Sequence, residues 1–229
     1  MKIAIISDIH GNSVALNSVI KIINNKKIDR IYVLGDIVGY YYDSDIILDI
    51  LHKYNAICIQ GNHELILQKI IHKEITISSI TKKYGSGMLF SIKKLSSKQI
   101  KDLIDLPKIR CENIDGKNIV FCHGSPDCSE EYLYPDTKQD TFKKYAYSDI
   151  VFCGHTHIQY MKKVDGTLFV GVGSVGQNRI QGGVANWVIF DTDTESVTTM
   201  ATPFDIRKIA EEVAKIDGKD SYLYKVLFR

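Results

Sequence analysis

Residues 2–12 read KIAIISDIHGN, and this stretch decides the fold. The run from Lys2 to Ile6 is apolar without the alternation of a half-exposed strand, which is typical of a strand buried in a parallel sheet. Polar residues follow at once, and Asn12 or Ser13 is a plausible N-cap for a helix that the apolar spacing predicts up to Ile23. The stretch therefore predicts a buried strand, a polar loop and a helix.

The same unit recurs further along the chain. Predicted strands at Arg30–Leu34 and Ala56–Ile59 stop at Gly35-Asp36 and Gly61-Asn62, with a predicted helix at Asp45–Leu51 between them. Strands that alternate with helices in this way favour right-handed crossovers and parallel pairing.

The remainder divides into a helical part and a strand-rich part. Residues 64–104 are mostly helical in pattern, with a break at 84–87, and Pro203 to Ile216 is predicted as a C-terminal helix. Strand-like runs occupy residues 108–112, 118–122, 150–153, 159–164, 168–172, 185–191 and 196–201. We predict one α/β domain over residues 1–229, with a mixed sheet or two packed sheets.

Composition narrows the class of protein. The chain has 229 residues, of which 45% are hydrophobic and 24% charged, so a disordered, collagen-like or coiled-coil protein is excluded. The net charge of +2 gives no reason to propose a nucleic-acid or membrane partner. No apolar run is long enough for a spanning helix, and the five cysteines form no CxxC pair. We expect a cytoplasmic protein, and the sequence specifies no oligomeric state.

Five polar clusters each follow a predicted strand. They are Asp8-Ile9-His10-Gly11-Asn12, Gly35-Asp36-Ile37-Val38-Gly39, Gly61-Asn62-His63-Glu64, His123-Gly124 and Gly154-His155-Thr156-His157. The carboxyl ends of strands in open α/β sheets are where binding sites form. Each cluster alone is explained by a turn or a helix cap. Together, however, the two aspartates, Asn62 and the five imidazoles need a common reason, and divalent metal ions accept this mixture of ligands.

These five motifs, in this order and spacing, resemble the calcineurin-like metallophosphoesterases. Residues 173–179, GSVGQNR, resemble the GSVGQPR segment of a small bacterial and archaeal branch, and residues 203–206 loosely resemble its PYDV helix start. The resemblance covers about residues 2–216. It implies a four-layer sandwich in which two packed mixed β-sheets are flanked by helices.

The resemblance also implies two divalent metal ions. Manganese is favoured, with iron, zinc, nickel and cobalt as alternatives. Two such ions about 3.5–4 Å apart can clamp a phosphate and activate water. The implied ligands are Asp8, His10 and His157 for one ion, Asn62, His123 and His155 for the other, and Asp36 as the bridge.

Further residues acquire roles from the same resemblance. His63 is expected to stabilise a phosphoryl oxygen or to protonate the leaving group, so that with Asn62 and Asp36 it forms the catalytic set. Asn12 and Arg179 are expected to contact the substrate, although Arg179 could equally be a surface arginine. Glu64 could support a ligand histidine, but we favour a first-turn acid stabilised by the helix dipole.

The implied activity is hydrolysis of phosphodiester bonds by a metal-activated hydroxide. The substrate would be a small phosphate ester, with nucleotide-derived esters among the candidates. The alternatives are a phosphomonoesterase or phosphoprotein phosphatase, a non-catalytic protein-binding scaffold as in a retromer subunit, and a nucleotide-binding module. Residues 40–44, YYYDS, depart from the branch's YGPDP, and Asn178 replaces its proline. Tyr40, Tyr41 and Tyr42 could stack on a base, but loop packing is the favoured interpretation.

Overall fold

The computed structural model describes residues 1–229 and contains ten strands and nine helices. In chain order these elements are β1 (Lys2–Ile6), α1 (Ser13–Asn25), β2 (Arg30–Val33), α2 (Ser44–Lys53), β3 (Ile57–Cys58), α3 (Asn62–Ile71), α4 (Ile77–Tyr84), α5 (Gly87–Lys94), α6 (Ser97–Ile104), β4 (Ile109–Ile114), β5 (Lys117–Cys122), α7 (Gln139–Lys143), β6 (Ile150–Cys153), β7 (Gln159–Val164), β8 (Thr167–Val172), β9 (Val184–Asp191), β10 (Ser196–Pro203), α8 (Arg207–Ile216) and α9 (Tyr222–Val226). None of the helices combines the length and apolar character that a membrane crossing requires.

The strands form two mixed five-stranded sheets. The first has the order β10-β9-β1-β2-β3, in which β1, β2 and β3 are parallel and β9 runs antiparallel to β1 and β10. The second has the order β4-β5-β6-β8-β7, in which β5, β6 and β8 are parallel. Both outer strands of the second sheet are antiparallel to their neighbours.

The two sheets pack face to face through an apolar layer. Ile3, Ile5 and Tyr32 of the first sheet bury against Phe121 and Phe152 of the second. The rings of Tyr32 and Phe121 stack with their centroids 4.2 Å apart. Because strands β1 and β6 are buried on both faces, their runs are apolar throughout, as the sequence indicated.

Helices cover the outer faces of both sheets. The other face of β1 packs on α1 through Leu16 and Val19. The outer face of the second sheet packs on α7 through Phe142, whose ring lies 4.9 Å from that of Phe169. These layers confirm the predicted sandwich of two packed mixed sheets flanked by helices.

One predicted element is wrong in its bounds. The C-terminal helix begins at Arg207, whereas Pro203 ends β10 and pairs with Val184. Strand β10 is at the edge of its sheet, and an edge strand tolerates a proline because one side of its ladder is unpaired. The short helices α7 and α9 were not predicted, since five residues carry too little periodicity to show a helix.

The parallel strands of both sheets end at one common edge, and their loops are held against each other by backbone hydrogen bonds. Asp8 N–H donates to Gly35 O at 3.1 Å, and His10 N–H donates to Asp36 O at 2.8 Å. The close contact requires glycine at position 35, where φ is +85° and an added Cβ would lie 2.4 Å from the backbone nitrogen of Gly61.

We predict that Gly35→Ala lowers the unfolding free energy by more than the strain of a left-handed alanine backbone accounts for. The matched control is Gly116→Ala, because Gly116 has φ +84° but no atom within 4 Å of an added Cβ. The control should lose about 1–2 kcal/mol of unfolding free energy. Gly35→Ala should lose about 1–3 kcal/mol more, from the steric clash. Urea denaturation of both variants measures the difference, and equal losses would contradict this account.

Candidate metal centre

All the predicted metal ligands lie at the common edge where the parallel strands end. Asp8 and His10 follow β1, Asp36 follows β2, and Asn62 begins α3 directly after β3. The second sheet contributes the remaining imidazoles from the ends of β5 and β6, namely His123, His155 and His157. Every one of these side chains is buried, with at most 9% of its surface exposed. The structure therefore brings together seven residues that span 150 positions of sequence.

Several of these residues have a left-handed backbone. Asp8, His10 and Asp36 have φ of 54°, 51° and 51°, and His155 and His157 have φ of 63° and 61°. Such a conformation costs a residue with a Cβ about 1–2 kcal/mol. Strain of this kind concentrates at functional sites, where the surrounding structure holds it in place.

Backbone carbonyl oxygens orient three of the imidazole rings. His10 Nδ1 lies 3.3 Å from Val38 O, His123 Nδ1 lies 2.6 Å from Leu34 O, and His157 Nδ1 lies 2.5 Å from Gln177 O. A carbonyl oxygen can only accept, so each Nδ1 must carry the proton and donate it. The Nε2 atom of each ring therefore points into the site, which is how a metal-binding histidine is usually held.

The first donor set consists of Asp8, His10 and His157. His157 Nε2 lies 3.2 Å from both Asp8 Oδ1 and His10 Nε2, and His10 Nε2 lies 3.7 Å from Asp8 Oδ1. All three atoms present lone pairs to one another. A cation among them would turn this repulsion into attraction.

The second donor set consists of Asn62, His123 and His155, and Asp36 lies between the two sets. His123 Nε2 is 2.9 Å from Asn62 Oδ1 and 3.4 Å from Asp36 Oδ1. The other carboxylate oxygen, Asp36 Oδ2, is 3.5 Å from His10 Nε2 in the first set. Each oxygen of Asp36 thus faces a different donor set, which is the arrangement that a bridging carboxylate needs.

The residues fit divalent metal ions. Asp8 Oδ1 and His155 Nε2 are buried and have no hydrogen-bond partner. The carboxylates of Asp8 and Asp36 are both buried, and their only basic neighbours within 4.0 Å are histidines. Two unneutralised charges in such a place would be costly, whereas imidazole and carboxylate ligands suit several divalent transition metals. The donor set is therefore complete as a metal centre.

The electrostatics of the site favour a bound cation. Burial opposes the charge of Asp36, but His123 and His63 outweigh it and hold its pKa below the ordinary value. Burial lowers the pKa of His155 to about 4, so this imidazole is neutral at pH 7. Burial also opposes the charge of His123, yet the Asp36 carboxylate raises its pKa to about 10. Without metal, a proton at His123 offsets part of the negative charge, and metal binding would displace that proton.

His63 stands beside the donors without belonging to either set. Its Nε2 lies 4.0 Å from Asp36 Oδ2, and its Nδ1 is buried without a hydrogen-bond partner. The ring packs against Gly39, where an added Cβ would lie 2.0 Å from His63 Nδ1. Burial lowers the pKa of His63 to about 3, so the ring is neutral near pH 7.

Glu64 is the first-turn acid of α3 that the sequence favoured, and its carboxylate also holds a second segment. Its fully buried carboxylate accepts hydrogen bonds from the backbone N–H groups of Asp36 at 2.8 Å, Ile37 at 2.9 Å, and Gly61 at 2.8 Å. It contacts no ligand histidine by a hydrogen bond, and the loop of Asp36 is its main partner. Glu64 therefore ties the start of α3 to the loop that carries Asp36.

The two predicted substrate contacts differ in their surroundings. Asn12 uses both polar atoms inside the protein, since Oδ1 accepts from Ala15 N–H at 3.0 Å and Nδ2 donates to Gly176 O at 2.8 Å. We therefore replace its predicted substrate contact with a structural role. Arg179 is half-buried and has no carboxylate within 4.0 Å, so its guanidinium is free for an anion, and its substrate contact stays a prediction.

Two of the three consecutive tyrosines pack in the protein interior, and the third lies at the site. Tyr41 and Tyr42 are buried against α8 and α9, and Tyr42 donates to Asp217 Oδ2 at 2.6 Å. Tyr40 instead lies with its ring centroid 4.4 Å from that of His10. Loop packing, the favoured interpretation, holds for Tyr41 and Tyr42.

Two aromatic residues at the site were missed by the sequence analysis. The ring of Tyr132 stacks on His155 with centroids 4.0 Å apart, and 42% of this residue is exposed at the mouth of the site. Tyr84 lies 5.3 Å from the His63 ring. Tyr84 stands at the helix break that the sequence showed, but no pattern in the loop around Tyr132 signals its contact.

The chain matches one protein family over most of its length. The family model for the calcineurin-like phosphoesterase superfamily domain matches residues 1–195. An uncharacterized protein of Methanocaldococcus jannaschii is 34% identical over 231 residues, covering 93% of this chain and 92% of that protein.

Solved structures show the same fold. A hypothetical protein from Pyrococcus horikoshii OT3 has a TM-score of 0.82 at 20% identity, over 100% of this chain and 98% of its own. A metallophosphoesterase from Sphaerobacter thermophilus has a TM-score of 0.79 at 24% identity, over 99% of this chain and 98% of its own.

We predict that Asp36→Asn weakens metal binding at both donor sets, because an amide offers one oxygen where the carboxylate offers two. Metal content after dialysis, measured by inductively coupled plasma mass spectrometry, should fall well below that of the unmodified protein. Asp205→Asn is the matched control, since Asp205 is exposed and pairs only with Arg207. Full and tight metal retention in Asp36→Asn would contradict the bridging position.

Proposed function

The chain belongs to the calcineurin-like phosphoesterase superfamily, and on that premise we propose that it is a dinuclear metal-dependent phosphodiesterase. One observation carries the proposal. Two buried donor sets meet at Asp36, whose oxygens face His10 on one side and His123 on the other. A single carboxylate placed between two sets of imidazoles supports a pair of metal ions in preference to one.

Each ion would have its own protein ligands. One would be held by Asp8, His10 and His157, the other by Asn62, His123 and His155, with Asp36 shared. Two divalent ions, when bound, supply the charge that polarises a phosphoryl group and lowers the pKa of water. Imidazole and carboxylate donors without thiolate suit Mn²⁺, which we favour, as well as iron, zinc, nickel and cobalt.

His63 acts on the substrate through a neutral ring. Because burial lowers its pKa to about 3, the imidazole donates one N–H and does not carry a mobile second proton at pH 7. A neutral donor beside the reacting group stabilises the charge that develops on a phosphoryl oxygen. Between the two roles that the sequence left open, the burial of His63 supports this one.

Arg179 supplies a second contact to the phosphate. Its guanidinium presents a planar fork of donors that matches phosphate oxygens. No carboxylate competes for it, and it lines the same cleft as Tyr40, whose ring contacts that of His10.

Phosphodiesters are the preferred substrate class. The preference rests on the likeness of residues 173–179 to the small bacterial and archaeal branch, and the cleft beside Tyr40 leaves room for a second ester group. Phosphomonoesters are the nearest alternative on the same donors. The complete set of metal donors supports catalysis over a scaffold role, because a scaffold has no use for a buried cluster of carboxylates and imidazoles.

We expect the purified protein to hydrolyse bis(p-nitrophenyl) phosphate in the presence of Mn²⁺. EDTA should abolish the activity, and added Mn²⁺ should restore it, because the buried carboxylates need a cation to act on phosphate. Release of p-nitrophenol measures the rate, and p-nitrophenyl phosphate is the monoester control.

An equal or greater kcat/KM for the monoester would overturn the diester preference. Protein that holds two metals but hydrolyses neither ester with Mn²⁺, Ni²⁺, Co²⁺ or Zn²⁺ would contradict the catalytic proposal and favour the scaffold.

We predict that His63→Ala lowers kcat by about 10²-fold or more, as for loss of one donor to a developing oxyanion. His63→Gln should lose less, because its amide can still donate an N–H. His72→Gln is the matched control, since His72 is exposed at the end of α3. Equal losses in the Ala and Gln variants would indicate proton transfer instead, and loss of bound metal would make His63 a ligand.

A further inference from the structure

A cleft of about 470 Å³ opens directly beside the metal donors. We call it the side cleft, and its principal lining residues are Tyr40, Lys82, Lys83, Tyr84, Arg179 and Tyr222. Two of these residues also contact the metal centre. The ring centroid of Tyr40 lies 4.4 Å from that of His10, and the ring centroid of Tyr84 lies 5.3 Å from that of His63. The volume is in the range of sites that bind small molecules.

The side cleft carries uncompensated positive charge. Lys82, Lys83 and Arg179 have no carboxylate within 4.0 Å. The single acid in the lining, Asp217, already accepts hydrogen bonds from Tyr42 Oη at 2.6 Å and Ser86 Oγ at 2.7 Å. The dipole of α4 favours lysines in its last turn, but it does not explain Arg179, which lies on a different segment. Three cationic side chains surround one carboxylate that already accepts hydrogen bonds, so the cleft favours an anionic ligand.

The same walls are aromatic. The rings of Tyr40 and Tyr84 meet edge to face at 5.9 Å, and Lys83 Nζ lies 4.7 Å over the ring of Tyr84. Tyr222 on α9 lines the cleft and is 45% exposed, and the guanidinium carbon of Arg229 lies 5.3 Å from its ring centroid. Exposed tyrosine rings offer flat apolar surface with a polar tip, which suits stacking on a planar group.

Part of the cleft lies outside the matched family domain. The family model ends at residue 195, whereas Asp217 and Tyr222 belong to the C-terminal segment. That segment is anchored on the site, because Leu223 and Leu227 bury against Tyr41 and Tyr42. The C-terminal helices thus shape a pocket beside a metal centre that the family domain supplies.

Resting on the proposed phosphodiesterase activity, we propose that the side cleft binds the non-reacting part of a nucleotide substrate that carries a further phosphate group. The base stacks on Tyr222 and Tyr84, and the further phosphate pairs with Lys82 and Lys83. Arg179, at the boundary of cleft and centre, contacts the reacting phosphate. The substrate class is therefore a phosphodiester of a nucleotide with at least one additional phosphate.

Kinetics on a matched pair of dinucleotides test the proposal in the full-length protein with Mn²⁺. The pair is thymidylyl-thymidine with and without a 5′-phosphate, which differ only in the further phosphate. We expect kcat/KM to be about tenfold or more higher for the 5′-phosphorylated substrate, as for one or more charge-assisted contacts. The Lys82→Ala/Lys83→Ala double variant should lose most of this ratio, and the control Lys163→Ala, an exposed lysine on β7, should keep it.

Binding provides a readout that does not depend on turnover. By isothermal titration calorimetry, thymidine 3′,5′-bisphosphate should bind about tenfold tighter than thymidine 5′-phosphate. The lysine double variant should lose this difference, and Tyr222→Leu should weaken both ligands. Tyr147→Leu is the aromatic control, because Tyr147 is 61% exposed and lies outside the cleft.

The outcomes separate the two proposals. Hydrolysis of both dinucleotides at equal kcat/KM, with no effect of the lysine or Tyr222 variants on ligand affinity, would overturn the side-cleft proposal and leave the phosphodiesterase intact. Lysine-dependent binding of the bisphosphate without hydrolysis of any diester would support the cleft as a nucleotide site and overturn the phosphodiesterase.

Discussion

The metal donors depend on the way backbone carbonyl oxygens hold the histidine rings. Leu34 O, at the end of β2 in the first sheet, accepts from His123 of the second sheet. Gln177 O accepts from His157 and Val38 O from His10. These three bonds place a proton on each Nδ1 and fix the angle of each ring, so the three Nε2 atoms converge on the site in the absence of metal. The packing of the two sheets therefore determines the geometry of the centre, because a shift between sheets would carry the carbonyl away from its ring.

Further support comes from residues whose hydrogen bonds and packing contacts lie within the protein. The carboxylate of Glu64 accepts hydrogen bonds from backbone N–H groups of the Asp36 loop and of Gly61, directly before α3. Gly39 leaves the space in which His63 lies, and Asn12 joins α1 to the segment of Gly176. Each of these residues stands inside a motif whose neighbours are predicted metal ligands. Motifs of this kind therefore combine candidate ligands with the residues that hold their loops in left-handed backbone conformations.

Much of the fold was predictable because buried parallel strands and strand-end polar residues leave strong local patterns. Strands β1, β6 and β7 have the predicted bounds, and the five polar clusters do come together. What failed depends on contacts between distant segments. Whether Asn12 faces substrate or backbone depends on where Gly176 lies, and the stacking of Tyr132 on His155 depends on an irregular loop. Pro203 looked like a helix start because its pairing partner, Val184, lies 19 residues away. Periodicity carries no information on such partners.

The metal donors are far apart in the sequence, and this separation couples the stability of the protein to the concentration of its metal. Asp8 and His157 belong to different sheets and are separated by most of the folded chain, so the unfolded chain holds no comparable site. A metal ion that binds only the assembled form adds RT ln(1 + [M]/Kd) to the unfolding free energy, which is about 2.7 kcal/mol at a hundredfold excess over Kd. A cell short of the metal would then hold more unfolded copies for its proteases, in addition to fewer active ones. The abundance of this protein would then rise and fall with the concentration of its metal. The folding equilibrium alone would produce this dependence, without a dedicated sensor.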